Sequence, residues 1–259
     1  MHTFKKLITR MAGRGNPKAV KVVVSGMPKS GTTAILKLLG DATGMKTCND
    51  PFFHLDKRQV TFRQSLFEGD VQLSELVREY PDIFDGAIIK DPNFPLLQHQ
   101  LRSTFINARV VHLVRNPFDN IRSILDRLGM DGSGDDKQIE QRQLRGTWRN
   151  VLEGQYPTIV GENHIERLAN RWLVSVNQIP QQGMVVLYEA FRQNKQVYIE
   201  DIAIKLHLPV TNNIADKVNV QFQPGGRKKH LSAEEFFTES AYNTIKDITA
   251  GARSRFGYE

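Results

Sequence analysis

The sequence predicts an α/β fold in which a central parallel sheet is flanked by helices. Short apolar runs rich in valine and isoleucine alternate along the chain with longer segments of helical periodicity. Turn-forming residues follow the apolar runs, as expected where a buried parallel strand leads into a helix. This alternation produces a sheet that is covered on both faces. The predicted strands cover residues 19–25, 86–90, 109–114 and 184–187.

Helices are predicted between and after these strands. Pro117 fits the first turn of one of them, because its ring fixes φ near the helical value. Residues 50–70 are rich in aromatic side chains without regular spacing, so we expect irregular structure there. Residues 129–136 combine glycine with aspartate, which favours a flexible loop. The predicted helices cover residues 32–41, 73–80, 95–105, 117–128, 138–152, 162–179, 195–206 and 233–250.

The chain is long enough to form one packed domain. Of its 259 residues, 40% are hydrophobic and 24% are charged, a balance that supports a buried core and argues against global disorder. We expect a basic leader over residues 1–18 and a single domain over residues 19–259. The formal net charge of +7 favours an anionic partner, such as a nucleotide, a sulfated product, nucleic acid or an acidic membrane.

Cysteine content and apolar run length narrow the class of protein. Cys48 is the only cysteine, which excludes a disulfide framework and a zinc site built from cysteines. A single cysteine is also typical of a reducing compartment. The apolar runs fall far short of the ~20 residues that a transmembrane helix needs. We therefore expect a cytoplasmic protein without a transmembrane segment.

A glycine-bounded loop follows the first predicted strand. Backbone N–H groups of such a loop, together with the start of the next helix, form an anion site. Lys29 adds a full positive charge, and serine and threonine hydroxyls add donors. A Walker A loop needs lysine directly after its second glycine, but Thr32 follows Gly31 here, so a magnesium-bound triphosphate is poorly served. The candidate anion-binding residues are Pro28, Lys29, Ser30, Gly31, Thr32 and Thr33.

A second candidate anion site follows the third predicted strand. Arg115 lies at the end of this strand, and Ser123 lies eight positions later, two turns into the next helix. A planar guanidinium and a hydroxyl at this spacing can both donate to one anion. An ordinary salt bridge to Asp119 is the alternative for Arg115 by itself. We expect Arg122 on another face of the helix, in solvent.

These two segments resemble those of sulfotransferases that depend on 3′-phosphoadenosine 5′-phosphosulfate (PAPS). Residues 28–33, Pro-Lys-Ser-Gly-Thr-Thr, resemble the family's 5′-phosphosulfate loop. The stretch from Arg115 to Ser123 resembles its 3′-phosphate segment. The resemblance implies the P-loop-like sulfotransferase fold, PAPS as co-substrate, adenosine 3′,5′-bisphosphate (PAP) as product, and no metal requirement. It also implies that Lys29 and Arg115 hold opposite ends of one nucleotide.

Two further segments resemble the family in part. Tyr188-Glu189 resembles a Tyr-Glu-Asp segment in which the tyrosine approaches the adenine, although Ala190 replaces the aspartate. A buried structural tyrosine is the alternative. Arg227 and Lys228 resemble the start of an Arg-Lys-Gly segment that closes over the 3′-phosphate, with lysine in place of glycine at the third position. The resemblance therefore adds Tyr188, Arg227 and Lys228 to the candidate nucleotide-binding residues.

The resemblance also implies in-line transfer to an acceptor hydroxyl or amine, which requires a base. Cytosolic members carry a histidine after Lys-Thr behind the second central strand, whereas this chain has Asp91 directly after Lys90. Another branch uses glutamate in a Glu-Pro-x-Phe-Phe segment, where this chain has Asp50. Asp50 is the first candidate, His54 the second and Asp91 the third. A turn residue before a proline is the alternative for Asp50. Phe52, Phe53, Phe62 and Phe67 are candidates for the acceptor pocket or for the core.

Two other classes of protein compete with this interpretation. A P-loop kinase or NTPase would use residues 88–91 as its magnesium-binding strand. A non-enzymatic basic protein would bind nucleic acid or membrane, but its cations would cluster with aromatic residues, whereas here they are dispersed. We therefore expect a small-molecule acceptor, such as a natural product, and no nucleic-acid partner. The sequence does not predict the acceptor or the oligomeric state.

Overall fold

A computed structural model describes residues 17–58, 61–156, 158–223 and 230–258 of the chain. These residues form two compact units. The first unit comprises the described residues of Met1–Ser25, Thr33–Val111 and Asn194–Val220. The second comprises those of Gly26–Thr32, His112–Gln193 and Gln221–Glu259. The expected leader over residues 1–18 lies almost wholly outside the described residues.

Five strands form a central parallel sheet, which confirms the predicted fold class. The strands are β1 (Val22–Gly26), β2 (Thr47–Asn49), β3 (Ile88–Lys90), β4 (Arg109–Val114) and β5 (Met184–Leu187). Their order is β2-β3-β1-β4-β5. Val22 and Thr47 both pair with Ile88, so β3 has a parallel neighbour on each side. The residues of β1 and β3 are all buried, as their continuous apolar character predicts.

Helices cover the predicted helical segments and add several that were not predicted. Among the described residues no helix is both long and apolar enough to cross a bilayer. Two 3₁₀ turns, Pro17–Ala19 and Phe94–Leu97, supplement the α-helices. The α-helices are α1 (Thr32–Thr43), α2 (Pro51–Lys57), α3 (Arg63–Glu68), α4 (Leu73–Glu79), α5 (Gln98–Thr104), α6 (Pro117–Leu128), α7 (Lys137–Gln141), α8 (Gly146–Leu152), α9 (His164–Asn177), α10 (Tyr188–Gln193), α11 (Lys195–Lys205), α12 (Ala233–Phe236) and α13 (Glu239–Ser254).

The aromatic segment 50–70 is regular, and the prediction of irregular structure was wrong. It contains α2 and α3 and follows the unpredicted strand β2. The reason lies in the core of the first unit, where Phe52 meets the edges of Phe62, Phe84 and Phe94 at centroid distances of 5.1, 6.3 and 5.9 Å. Phe52 and Phe62 are therefore core residues. Phe53 is 53% exposed and remains accessible to a ligand.

Two helices that were predicted as continuous are each broken in two. The predicted helix 138–152 is divided between α7 and α8, because Gln143 and Gly146 have φ of 48° and 58°. A left-handed residue cannot continue a right-handed helix. The predicted helix 233–250 is divided between α12 and α13. There Phe237 is extended and the Thr238 hydroxyl accepts a hydrogen bond from the Ala241 N–H, which starts a new helix.

The loop predicted at 129–136 is irregular but anchored within the second unit. Gly132 forms a bridge with Phe237. The Asp136 carboxylate accepts hydrogen bonds from the His164 backbone N–H and from Arg167 Nη1, at 2.8 and 2.7 Å. The segment is therefore anchored by contacts at its middle and at its end, which a flexible loop would lack.

Gly40 marks a close approach between α1 and β2 that fixes part of the first unit. A Cβ at this position would lie 2.3 Å from Thr47 Cγ2. We expect Gly40→Ala to lower the free energy of unfolding by about 1–2 kcal/mol, because overpacking exceeds the gain in helix propensity. Urea denaturation followed by circular dichroism measures the change.

Gly251→Ala in α13 is the matched control, since no atom lies within 4 Å of a Cβ at that position. Helix propensity alone then applies, and a gain of up to ~1 kcal/mol is expected. Equal gains in both variants would show that the packing at Gly40 is looser than described.

Candidate active site

The glycine-bounded loop between β1 and α1 is closed by its own polar groups. The Ser30 N–H and hydroxyl both donate to the Met27 carbonyl, at 3.2 and 2.6 Å. A Cβ at Gly26 would lie 2.8 Å from Ser30 Oγ, so only glycine fits there. The Ser30 hydroxyl proton thus closes the turn, and the role of Ser30 as a donor to a ligand stays a prediction.

Two residues of the loop have left-handed backbone conformations. Lys29 has φ of 66° and Gly31 has φ of 94°. For a lysine this conformation costs about 1–2 kcal/mol, so surrounding contacts must hold it. Arg115 Nη1 donates to the Lys29 carbonyl at 2.8 Å, and Asn120 Nδ2 donates to the Pro28 carbonyl at 2.9 Å. With these carbonyls engaged, the loop can present N–H groups to an anion, next to the start of α1.

Arg115 connects the loop to the end of β4. Its guanidinium carbon lies 4.5 Å from the centre of the Tyr188 ring, and its Nε is buried without a hydrogen-bond partner among the described residues. Burial lowers the pKa of Arg115, and Tyr188 with two nearby carboxylates opposes the shift, so the guanidinium keeps its proton. The alternative salt bridge to Asp119 is not formed, because Asp119 pairs with Arg122 at 2.6 Å.

Tyr188 is packed between Arg115 and Gly31. A Cβ at Gly31 would lie 2.7 Å from Tyr188 Cδ2, which is too close for any side chain. The structure therefore brings together four of the predicted nucleotide-binding residues. Lys29 takes part through its carbonyl, Gly31 through its lack of a side chain, and Arg115 and Tyr188 through their stacked groups.

A cavity of about 470 Å³ adjoins Arg115 and Tyr188. This volume is within the range of small-ligand sites. Three guanidinium groups outnumber two carboxylates in its lining, so the cavity favours an anion. The lining residues are Arg115, Asp119, Arg122, Tyr188, Glu189, Arg192 and Gln193.

Several residues of this site were missed in the sequence. Arg122 was expected in solvent, but its side chain is only 17% exposed and it donates to the Leu231 carbonyl as well as to Asp119. The spacing of Asp119 and Arg122, three positions apart on a helix, was a signal for this ion pair. Asn120 and Arg192 carried no comparable signal, because their positions depend on tertiary packing.

All the predicted nucleotide-binding residues stay predictions, and the geometry described above does not include three of them. Ser123 is half-buried on α6 and does not line the cavity as the described residues define it. Arg227 and Lys228 lie outside the described residues.

The first unit holds a separate cluster around Lys90. The Lys90 side chain, only 4% exposed, donates to Asp50 Oδ1 at 2.8 Å and to Thr33 Oγ1 at 3.0 Å. Asp50 precedes α2 with φ of 53° and makes no side-chain cap to that helix. Its carboxylate is 25% exposed, so it combines a fixed cationic partner with access to solvent. A turn residue before a proline would not require this ion pair.

The other two candidate bases differ in accessibility. Asp91 is 1% exposed, and it accepts hydrogen bonds from the Phe52 N–H and from the Asn93 N–H and amide. Burial, and secondly the charge of Asp50, raise the pKa of Asp91 to about 6. A base must reach its substrate, so this burial favours a structural role for Asp91. His54 is exposed beside Phe53. Among the described residues no group of three or more His, Cys, Asp or Glu could hold a metal ion.

Gly31 provides a direct test of the loop geometry. We expect Gly31→Ala to weaken PAP binding by at least ~10-fold, because left-handed strain adds to the clash with Tyr188. Isothermal titration calorimetry measures the dissociation constant.

Gly69→Ala is the matched control for this variant. Gly69 has φ of 90°, but no atom lies within 4 Å of a Cβ there, so the substitution adds strain without a clash. If Gly69→Ala weakened PAP binding as much as Gly31→Ala, general destabilisation would explain both losses.

Comparison with known proteins identifies the family. Residues 20–223 match the family model described as the sulfotransferase domain. The crystal structure of sulfotransferase STF9 from Mycobacterium avium has the same fold, with a TM-score of 0.59 and 13% identity, covering 98% of this chain and 81% of that one. An uncharacterized protein of Aquifex aeolicus (strain VF5) is 26% identical over 137 residues, which cover 44% of this chain and 18% of that curated relative's length. Because the family model spans most of its length, the chain belongs to the sulfotransferase domain family.

Proposed function

We propose that this chain transfers a sulfuryl group from PAPS to a hydroxyl or amine of a small molecule, such as a natural product. Membership of the family supports sulfuryl transfer. The observation that supports PAPS as donor is the 2.8 Å hydrogen bond from Arg115 Nη1 to the Lys29 carbonyl. It joins the two residues whose side chains carry the proposed cationic anchors, and one of them, Arg115, lines a cavity of about 470 Å³.

The main requirement of the reaction is to stabilise the negative charge on the leaving nucleotide. The bond from sulfur to the 5′-phosphate oxygen breaks as the acceptor forms its own bond to sulfur, and negative charge grows on that oxygen. In this proposal Lys29 and the N–H groups of the loop stabilise that charge. Arg115, with its buried Nε and the adjacent Arg122, binds the 3′-phosphate. PAP then leaves without a metal ion.

Asp50 is the proposed base. The acceptor loses a proton as it attacks sulfur, and the exposed edge of the Asp50 carboxylate receives it. Lys90 holds the carboxylate at 2.8 Å, and Asn49 Nδ2 donates to its second oxygen at 3.0 Å, so the group is oriented before the acceptor binds. His54, also exposed, is the second candidate.

Removal of either cationic anchor tests the donor assignment. We expect Lys29→Ala and Arg115→Ala each to reduce turnover of radiolabelled PAPS by ~10²-fold or more, because each removes stabilisation of developing or bound negative charge. Turnover is measured in EDTA with a panel of hydroxyl and amine acceptors, and thermal melting reports on the fold.

Lys37→Ala and Arg127→Ala are matched controls, since both side chains are exposed. Lys37 lies on α1, which follows the loop that contains Lys29, and Arg127 lies on α6, which follows the strand that leads to Arg115. They should retain wild-type turnover. A chain that bound Mg²⁺-ATP but not PAP would instead be a P-loop kinase or NTPase, and the proposed function would be wrong.

The base is tested by separating chemistry from binding. Asp50→Asn should reduce kcat by about 10²–10⁴-fold while the PAP dissociation constant changes less than ~2-fold, because the base acts only on the acceptor. Single-turnover kinetics and calorimetry measure the two quantities.

Asp70→Asn, an exposed aspartate of the same unit, serves as the control. An unchanged kcat in Asp50→Asn, together with a large loss in His54→Ala, would transfer the role of base to His54.

A further inference from the structure

We propose that Tyr258 is a positioning residue for Arg115, acting by keeping the Glu189 carboxylate away from the Arg115 guanidinium. The inference rests on the proposed function, in which Arg115 binds the 3′-phosphate of the donor. It assigns a role to the segment Arg255-Phe256-Gly257-Tyr258, which the donor-binding motifs leave unexplained.

The backbone around Arg115 contacts side chains at three consecutive residues, two of them through hydrogen bonds. Tyr258 Oη lies 3.4 Å from the Val114 carbonyl, and Trp172 Nε1 donates to the Arg115 carbonyl at 2.9 Å. The Asn116 N–H donates to Glu189 Oε1 at 3.0 Å. The Trp172 and Asn116 hydrogen bonds involve backbone atoms, so they fix where the Arg115 side chain begins, whereas the single Tyr258 proton goes to Glu189.

Residues 255–257 hold Tyr258 in this position. Phe256 meets the Trp172 ring edge-on, with a centroid distance of 6.4 Å. Arg255 Nη2 donates to the Ile179 carbonyl at 3.0 Å. The segment therefore packs on the same tryptophan that binds the Arg115 carbonyl.

Glu189 is the residue through which Tyr258 acts. Tyr258 Oη donates to Glu189 Oε2 at 2.7 Å, and the Asn116 N–H occupies the other oxygen. Burial, followed by the hydrogen bond and charge of Glu189, raises the pKa of Tyr258, so its hydroxyl stays protonated and remains a donor. Both carboxylate oxygens are thus bound within the described part of the chain.

Without the Tyr258 hydroxyl, Glu189 Oε2 would lose its donor in a cavity that also contains Arg115. A carboxylate in such surroundings is stabilised by pairing with a cation, and a guanidinium forms the strongest such pair. An ion pair with Arg115 would compete directly with a 3′-phosphate. The hydroxyl therefore keeps a carboxylate available for backbone support while leaving the arginine to the ligand.

The experiment compares PAP with adenosine 5′-phosphate, which lacks the 3′-phosphate. Dissociation constants are measured by calorimetry for the full chain and for Tyr258→Phe. We expect Tyr258→Phe to weaken PAP binding by ~10-fold or more while binding of adenosine 5′-phosphate changes less than ~2-fold. A purely structural role would weaken both nucleotides equally.

Tyr242→Phe is the matched control, because the Tyr242 hydroxyl also donates to a glutamate, Glu234, at 3.1 Å, and Glu234, unlike Glu189, does not line the cavity. It should leave both dissociation constants unchanged. A second variant, Tyr258→Phe with Glu189→Gln, removes the competing charge. It should return PAP affinity to within ~3-fold of Glu189→Gln alone, since the two residues act through one contact.

The outcomes separate the two proposals. A wild-type chain with no preference for PAP over adenosine 5′-phosphate would overturn the donor assignment and this inference with it. A wild-type preference that Tyr258→Phe retains would overturn this inference alone, as would an equal loss of both nucleotides. Selective loss with rescue by Glu189→Gln would support it.

Discussion

The hydrogen bond from the Arg115 guanidinium to the Lys29 carbonyl is the main constraint on the conformation of the glycine-bounded loop between β1 and α1. Lys29 has a left-handed backbone that its own side chain disfavours, and Gly31 repeats the conformation two residues later. Arg115 and Asn120 compensate by binding two successive carbonyls of the loop. The arginine is thus both part of the loop's scaffold and a candidate ligand group. The shape of the first anchor and the charge of the second are therefore coupled.

Lys90 plays a comparable part within the first unit. A buried ammonium must be paired, and its three protons suit oxygen acceptors on different sides. Asp50, Thr33 and Asn49 supply these acceptors at 2.8, 3.0 and 3.4 Å. The lysine therefore orients a carboxylate and a threonine of the loop motif at the same time. Its burial gives this arrangement a rigidity that an exposed ion pair would lack.

The sequence predicted those features that depend on local pattern. The apolar runs of β1 and β4 and the proline that begins α6 were sufficient to locate the ends of strands where Lys29 and Arg115 follow. The prediction from sequence failed where tertiary packing determines the local structure. The segment around Phe52 showed no helical periodicity, because several aromatic residues in it are buried in the core. The positive φ of Gln143 was not predictable from its residue type. One donor to Glu189 is the hydroxyl of a tyrosine 69 positions away in the sequence, a separation that no local spacing rule covers.

Lys29 has a further consequence for protein engineering. Glycine or asparagine would relax the backbone at this position, because both adopt left-handed conformations more readily than lysine does. Either residue would also discard the cation. A search for greater thermal stability would therefore select against the charged residue here, whereas the proposed role of Lys29 in sulfuryl transfer requires that it be retained. Consensus-based or automated stabilisation of this chain should leave the position fixed.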